Sequence, residues 1–201
     1  MEILSRKIFL NSRQSYEEWI VESVEFFRQL GFFGQWRNLP TEKLICKLEQ
    51  LQEESGLARY QPMGKTADFD LIAWDKKKVW YLDADALVLP QNEAYVQALQ
   101  ELAAISRKQL SLTFVQEEWE GEEGPIRVHF TNKRKQYEFY PRYHETYFDY
   151  GTLAYLNTFV EDRKFRFELC GDILENPIAL FLHKEEKELL SVKRGWKFKN
   201  F

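Results

Sequence analysis

Along the chain the spacing of apolar residues switches between helical intervals and intervals of two, and each switch marks a new element. Ser15 and Glu18 stand at the separation of a capping box, and Trp19, Ile20, Val24, Phe27 and Leu30 follow at helical spacing until Gly31 and Gly34. That predicts a first helix. Pro40 and Thr41 open a second, whose stripe of Leu44, Ile45, Leu48 and Leu51 ends at Ser55 and Gly56. Residues 69–74 and 79–82 are rich in apolar and aromatic side chains and flank Asp75, Lys76, Lys77 and Lys78, which predicts a short hairpin. Beyond Pro90, Tyr95, Val96, Leu99 and Leu102 share one face of a helix over 93–105, after which Leu110, Leu112 and Phe114 step by two.

From there the pattern is that of a meander. A strand over 110–119 is followed by Ile126, Val128 and Phe130 alternating with Arg127, His129 and Thr131, and then by Tyr137 and Phe139. Turn residues fall between them, at Gly121, Gly124 and Pro125 and again over 132–135. Asp149 can cap a helix carrying Leu153, Leu156 and Val160, and Phe165, Phe167 and Leu169 then alternate with Arg166 and Glu168. The run 178–182 is continuously apolar, as expected of a strand buried on both faces, and a short charged helix over 184–190 precedes a basic, aromatic tail from Arg194. The fold class expected is therefore α+β: a mainly antiparallel sheet with helices packed on it and an N-terminal helical segment. A chain of 201 residues suits one core, so residues 1–201 are expected to form a single domain. If that domain has two lobes, they divide near Gly121 to Pro125, into 1–121 and 122–201.

Composition sharpens this reading. Aromatic residues make up 16% of the chain, enough large apolar surface to offset chain entropy and exclude a disordered protein. The first ten residues carry Glu2, Arg6 and Lys7, which fits neither a signal peptide nor a membrane span. Cys46 and Cys170 lie far apart and are expected to be reduced thiols of a cytoplasmic protein. The net charge of −4 is unevenly placed: residues 41–123 sum to −7 and residues 124–201 to +3. An acidic middle of that size favours a basic partner and repels a phosphate backbone.

Few motifs carry chemistry. Gly64, Lys65 and Thr66 resemble the end of a phosphate-binding loop, but Arg59 stands where that loop needs a glycine. His129, His144 and His183 are spaced too widely for a zinc motif with either Cys, and Cys170 reads as a packed thiol rather than a nucleophile, so no metal or cofactor is expected. Lys133, Arg134, Lys135 and Arg142 interleave with Tyr137, Tyr140, Tyr143, Tyr147 and Tyr150, a mixture that can track phosphates and stack bases, and that also describes a solvated turn beside core aromatics. Glu117, Glu118, Glu120, Glu122 and Glu123 crowd the end of a predicted hairpin around Trp119. Such a cluster can present carboxylates to the Arg and Lys of another protein with the indole as apolar anchor, or be an ordinary solvated turn.

Two family resemblances follow from these residues. Asp83 and Asp85 stand at alternate positions, after Asp70, within a predicted order of helix, hairpin, helix and strand; this resembles the PD-(D/E)xK nucleases, although Asp85 stands where that family places its Lys. The resemblance implies a metal-dependent or degenerate nuclease using Asp70, Asp83 and Asp85. In the last third, Tyr137 to Pro141, Leu153, Leu156 and Asn157, then Arg166, Phe167, Gly171 and Asp172, the run 178–182, and Lys184, Glu185 and Glu186 resemble small bacterial proteins, some of them immunity proteins of polymorphic toxin systems. That likeness implies a non-enzymatic protein that inhibits a cognate toxin by occlusion. Three expectations thus stand: a protein-binding protein whose partner is a basic toxin domain, a nuclease, and a nucleic-acid-binding module, with nucleic acid the least favoured partner and no membrane involved.

Overall fold

The computed structural model describes residues 15–56, 65–81, 87–144, 147–171 and 177–200. It confirms an α+β fold and falls into two compact units, one ending at Ile72 and one beginning at Ala73.

The first unit is helical. Helix α1 (Tyr16–Gln29) starts on the predicted capping box, with the Ser15 side chain accepting from Glu18 N and the Glu18 carboxylate accepting from Ser15 N. Its stripe buries Trp19, Ile20, Val24 and Phe27, and α2 (Thr41–Glu54) packs against it through Leu44, Ile45 and Leu48. Between them the Arg28 guanidinium donates to the carbonyls of Arg37 and Leu39, pinning a loop that contains a short 3-10 turn (Gly34–Trp36). One predicted element is overturned. Residues 69–72 belong to helix α3 (Lys65–Ile72), not to a strand. Ala67, Leu71 and Ile72 are its buried apolar residues, at i, i+4 and i+5, and a short apolar run cannot distinguish that face from a buried strand.

The predicted hairpin therefore does not form. Strand β1 (Val79–Tyr81) instead pairs antiparallel with a strand from the far end of the chain, Val79 opposite Leu180 and Tyr81 opposite Ile178. Asp75, Lys76, Lys77 and Lys78 make a turn in which the amides of Lys78 and Val79 both donate to the Asp75 carbonyl.

The second unit contains two three-stranded antiparallel sheets. One has the order β1–β6–β5, with β5 (Phe165–Cys170) and β6 (Ile178–His183). The other is the predicted meander of β2 (Leu112–Trp119), β3 (Ile126–Asn132) and β4 (Lys135–Phe139). Helices α4 (Ala94–Ile105) and α5 (Gly151–Asn157) pack on them, so that Tyr95, Leu99, Leu102, Phe130, Phe148 and Phe181 join one buried cluster. Asp149, expected to cap α5, stands one position before its N-cap, Tyr150, and accepts from Gly151 N at 2.8 Å. Strand β6 is buried on both faces, as its apolar run predicts. Ala179 and Phe181 enter the main cluster, while α6 (Lys184–Arg194) covers the face shared by Leu180 and Glu168, the latter bonded to Lys187 at 2.8 Å. The C-terminal tail extends this cover. Trp196 is buried and Lys199 N donates to the Leu169 carbonyl. No helix among the described residues is long and apolar enough to cross a membrane.

Strand β2 contains a β-bulge between Thr113 and Gln116, where Phe114 takes φ = 50° and is 83% exposed. A left-handed backbone costs an L-residue about 1 kcal/mol or more, and this ring gains little burial in return. Replacing Phe114 by Gly should therefore leave stability unchanged or raise it by up to about 1 kcal/mol, whereas Phe114→Val should lower it by about 1 kcal/mol because branching at Cβ is least tolerated there. Urea midpoints of the two variants check this, and a loss in the Gly variant equal to that of Val would refute the strain.

Candidate functional site

The end of the β2–β3 hairpin carries the five predicted glutamates, and the ladder sorts them. Inward positions of β2 after the bulge are Val115, Glu117 and Trp119; Gln116, Glu118 and Glu120 face out. Glu117 is thus turned toward α4. One carboxylate oxygen accepts from Tyr95 N at 2.8 Å in the first turn of that helix, the other from the Trp119 indole N–H at 2.7 Å, and Val96 N adds a third donor. The residue at the usual capping position, Glu93, gives α4 no side-chain cap, and Glu117 takes that role from across the fold. Burial pushes its carboxyl above the ordinary glutamate range, against the pull of these hydrogen bonds.

Glu118 is exposed, but Arg127 opposite it on β3 hydrogen-bonds its carboxylate and holds it below the ordinary range. His129 lies 3.6 Å from the same carboxylate and 3.8 Å from Glu138 on β4, so the polar side chains on the outer face of this sheet meet one another across the strands. Trp119 is half-buried and meets Tyr143 edge to face at 5.8 Å.

The turn itself holds Glu120, Glu122 and Glu123, all exposed and, among the described residues, in no ion pair. Its backbone is ordered by Glu120 N donating to the Pro125 carbonyl at 3.2 Å and Gly124 N to that of Gly121 at 3.2 Å. Gly124 sits at φ = 87°, where any side chain is strained and a Cβ would come 3.3 Å from Ile126 N. Three carboxylates are thereby carried on an ordered short turn beside the Trp119–Tyr143 pair.

Asp70 lies on helix α3, not on a strand, and Asp83 and Asp85 fall outside the described residues. No three His, Cys, Asp or Glu side chains among the described residues are grouped so as to hold a metal ion. In the basic, aromatic segment, Tyr137 packs on Phe130 and Phe159, Tyr143 on Trp119, and Tyr150 on Trp80 and Phe148, with the Tyr150 hydroxyl pushed up to about 12 by burial. Tyr140 and Tyr147 are the exposed ones, and Lys133 is paired with Glu161 at 2.6 Å. In the tail, Trp196 is buried. Cys170 is buried, its thiol 3.2 Å from the Lys197 carbonyl. Comparison of the chain with protein-family models, with curated proteins and with solved structures finds no match.

Proposed function

We propose that this chain acts by binding another protein, receiving a basic surface on the acidic end of the β2–β3 hairpin. The observation that carries this reading is the set of three exposed carboxylates at Glu120, Glu122 and Glu123, in no ion pair among the described residues and carried on a hydrogen-bonded turn beside a half-buried indole. Exposed charges contribute little affinity singly, so their work is to steer and orient a basic partner, while Trp119 and Tyr143 supply the apolar contact at the margin. The mechanism is occlusion of the partner's surface and involves no turnover. The partner class that fits is a basic toxin domain, the choice that the likeness of the C-terminal third to immunity proteins supports.

Capture from the native host tests the reading, with the tagged full chain compared to a Glu120→Lys/Glu122→Lys/Glu123→Lys variant. A basic protein retained by the first, released by salt and lost at least about tenfold by the second is the expected result. A partner held equally by both would remove the hairpin end from the interface. Glu117 is left untouched in this design, because reversing a helix-capping carboxylate would unfold the surface under test.

A further inference from the structure

A second, unrelated feature lies on the opposite sign of charge. Between β5, the end of β6 and the flank of α6 is a depression of about 430 Å³, and its lining includes Arg163, Lys164, Arg166, Lys184 and Lys187. Strand register and helix pitch bring them together. Phe165 pairs with His183 and Arg166 with Leu182, and Lys184 N donates to the Lys164 carbonyl at 2.8 Å, so the residues flanking both strand ends meet where α6 begins. Lys187 follows one helical turn on.

Lys187 is neutralised by Glu168, a nearly buried carboxylate 2.8 Å away. Arg163, Lys164, Arg166 and Lys184 have no ion pair among the described residues, and Glu188 is the other acid in the lining. Four unmatched cations around one depression repel each other, in a chain whose net charge is −4. A bound anion removes that cost. The concave shape and the size, which falls in the range of small-molecule sites, favour a compact ligand over a nucleic-acid strand, which needs an extended basic track. Two guanidiniums suit the paired oxygens of phosphate. A smaller cavity of about 200 Å³ shares Arg163 and Arg166 and is lined also by Ala154, Asn157, Thr158, Val160 and half-buried Phe165, a mixed polar and apolar compartment beside the cationic one.

We infer that this depression is a binding site for a phosphorylated small molecule, with a diphosphate group held by Arg163, Lys164, Arg166 and Lys184 and a small organic body lodged against Ala154, Thr158 and Val160. Calorimetric titration of the full chain with inorganic pyrophosphate, and separately with ADP, tests it. Saturable one-site binding is expected, with ADP at least as tight as pyrophosphate and sodium sulfate at matched ionic strength giving no saturable signal. Arg163→Ala and Arg166→Ala should each weaken binding about tenfold, Arg166→Lys less, and Lys133→Ala/Arg134→Ala on the β3–β4 turn should have no effect. Because both arginines are exposed, the variants should melt with the wild type, which a thermal scan verifies. Equal affinity in the arginine variants, a sulfate response like that of pyrophosphate, or ADP bound more weakly than pyrophosphate would overturn the assignment, as would a single-stranded oligonucleotide that binds here while pyrophosphate does not.

Discussion

Glu186→Ala is expected to destabilise the second unit by about 3 kcal/mol, read as a lower urea midpoint with an unchanged slope. Its carboxylate accepts from Lys78 Nζ at 2.9 Å and from Arg107 at 2.8 Å, and its other oxygen accepts from His183 N at 2.8 Å, closing the capping box of α6. One side chain thus joins the turn before β1, the turn after α4 and the start of α6. Lys78 is buried, and burial lowers its amine below the ordinary lysine range although Glu186 pushes it back up. With Glu186 removed, Asp75 remains as the nearby negative charge, which keeps the cost toward the lower end for breaking a buried pair. Removing both charges while keeping the cap, as Lys78→Met with Glu186→Gln, should recover at least half of the loss; a double variant as unstable as Glu186→Ala would show that packing, not charge, sets the effect.

The same residue fixes a pH dependence. Burial alone would raise the Glu186 carboxyl, but the hydrogen bonds and charges of Lys78, His183 N–H and Arg107 together hold it below its ordinary 4.5. A depressed folded value means that the unfolded chain takes up the proton first. Its contribution to stability is present above about pH 4.5 and is lost as pH falls through the folded value. The difference between wild type and Glu186→Gln should shrink across that window.

How much of this was legible in the sequence depends on the range of each interaction. Helix α1 was readable because its capping box, stripe and stop signal all lie within the element. The strand β6 was readable because burial on both faces leaves an unbroken apolar run. Residues 69–74 were not, since their run suits a helix face or a strand equally, and the supposed partner, β1, found its pairing at Leu180, beyond any local signal. The glutamates show the same limit at the scale of one residue. Leu110, Leu112 and Phe114 set a phase that would turn Glu118 and Glu120 inward; the bulge at Phe114 absorbs one residue and turns Glu117 and Trp119 inward instead. The basic depression was missed because Arg163, Lys164 and Arg166 are separated from Lys184 by most of a hairpin, and only the β5–β6 register joins them.

Glu117→Ala should be nearly as damaging as loss of Glu186, about 2 to 3 kcal/mol, although sequence alone places it among five interchangeable acids. The substitution strands the Tyr95 and Val96 amides at the start of α4 and the Trp119 indole N–H, three donors in a partly buried setting. Glu117→Gln keeps an acceptor for the helix and should cost about 1 kcal/mol. Amide exchange at Tyr95 and Val96 should accelerate in the Ala variant more than at Phe130 or Phe181 in the sheets. The pH dependence has the opposite sign to that of Glu186. A carboxyl raised by burial stabilises the folded state most below the ordinary value of 4.5, and that contribution is lost as pH rises through the raised folded value. Wild type should therefore lose stability relative to Glu117→Gln as pH rises from about 4.5. A difference that instead grows in favour of wild type over that interval would mean that the three donors outweigh desolvation, and that the carboxylate is held by its hydrogen bonds more strongly than burial opposes it.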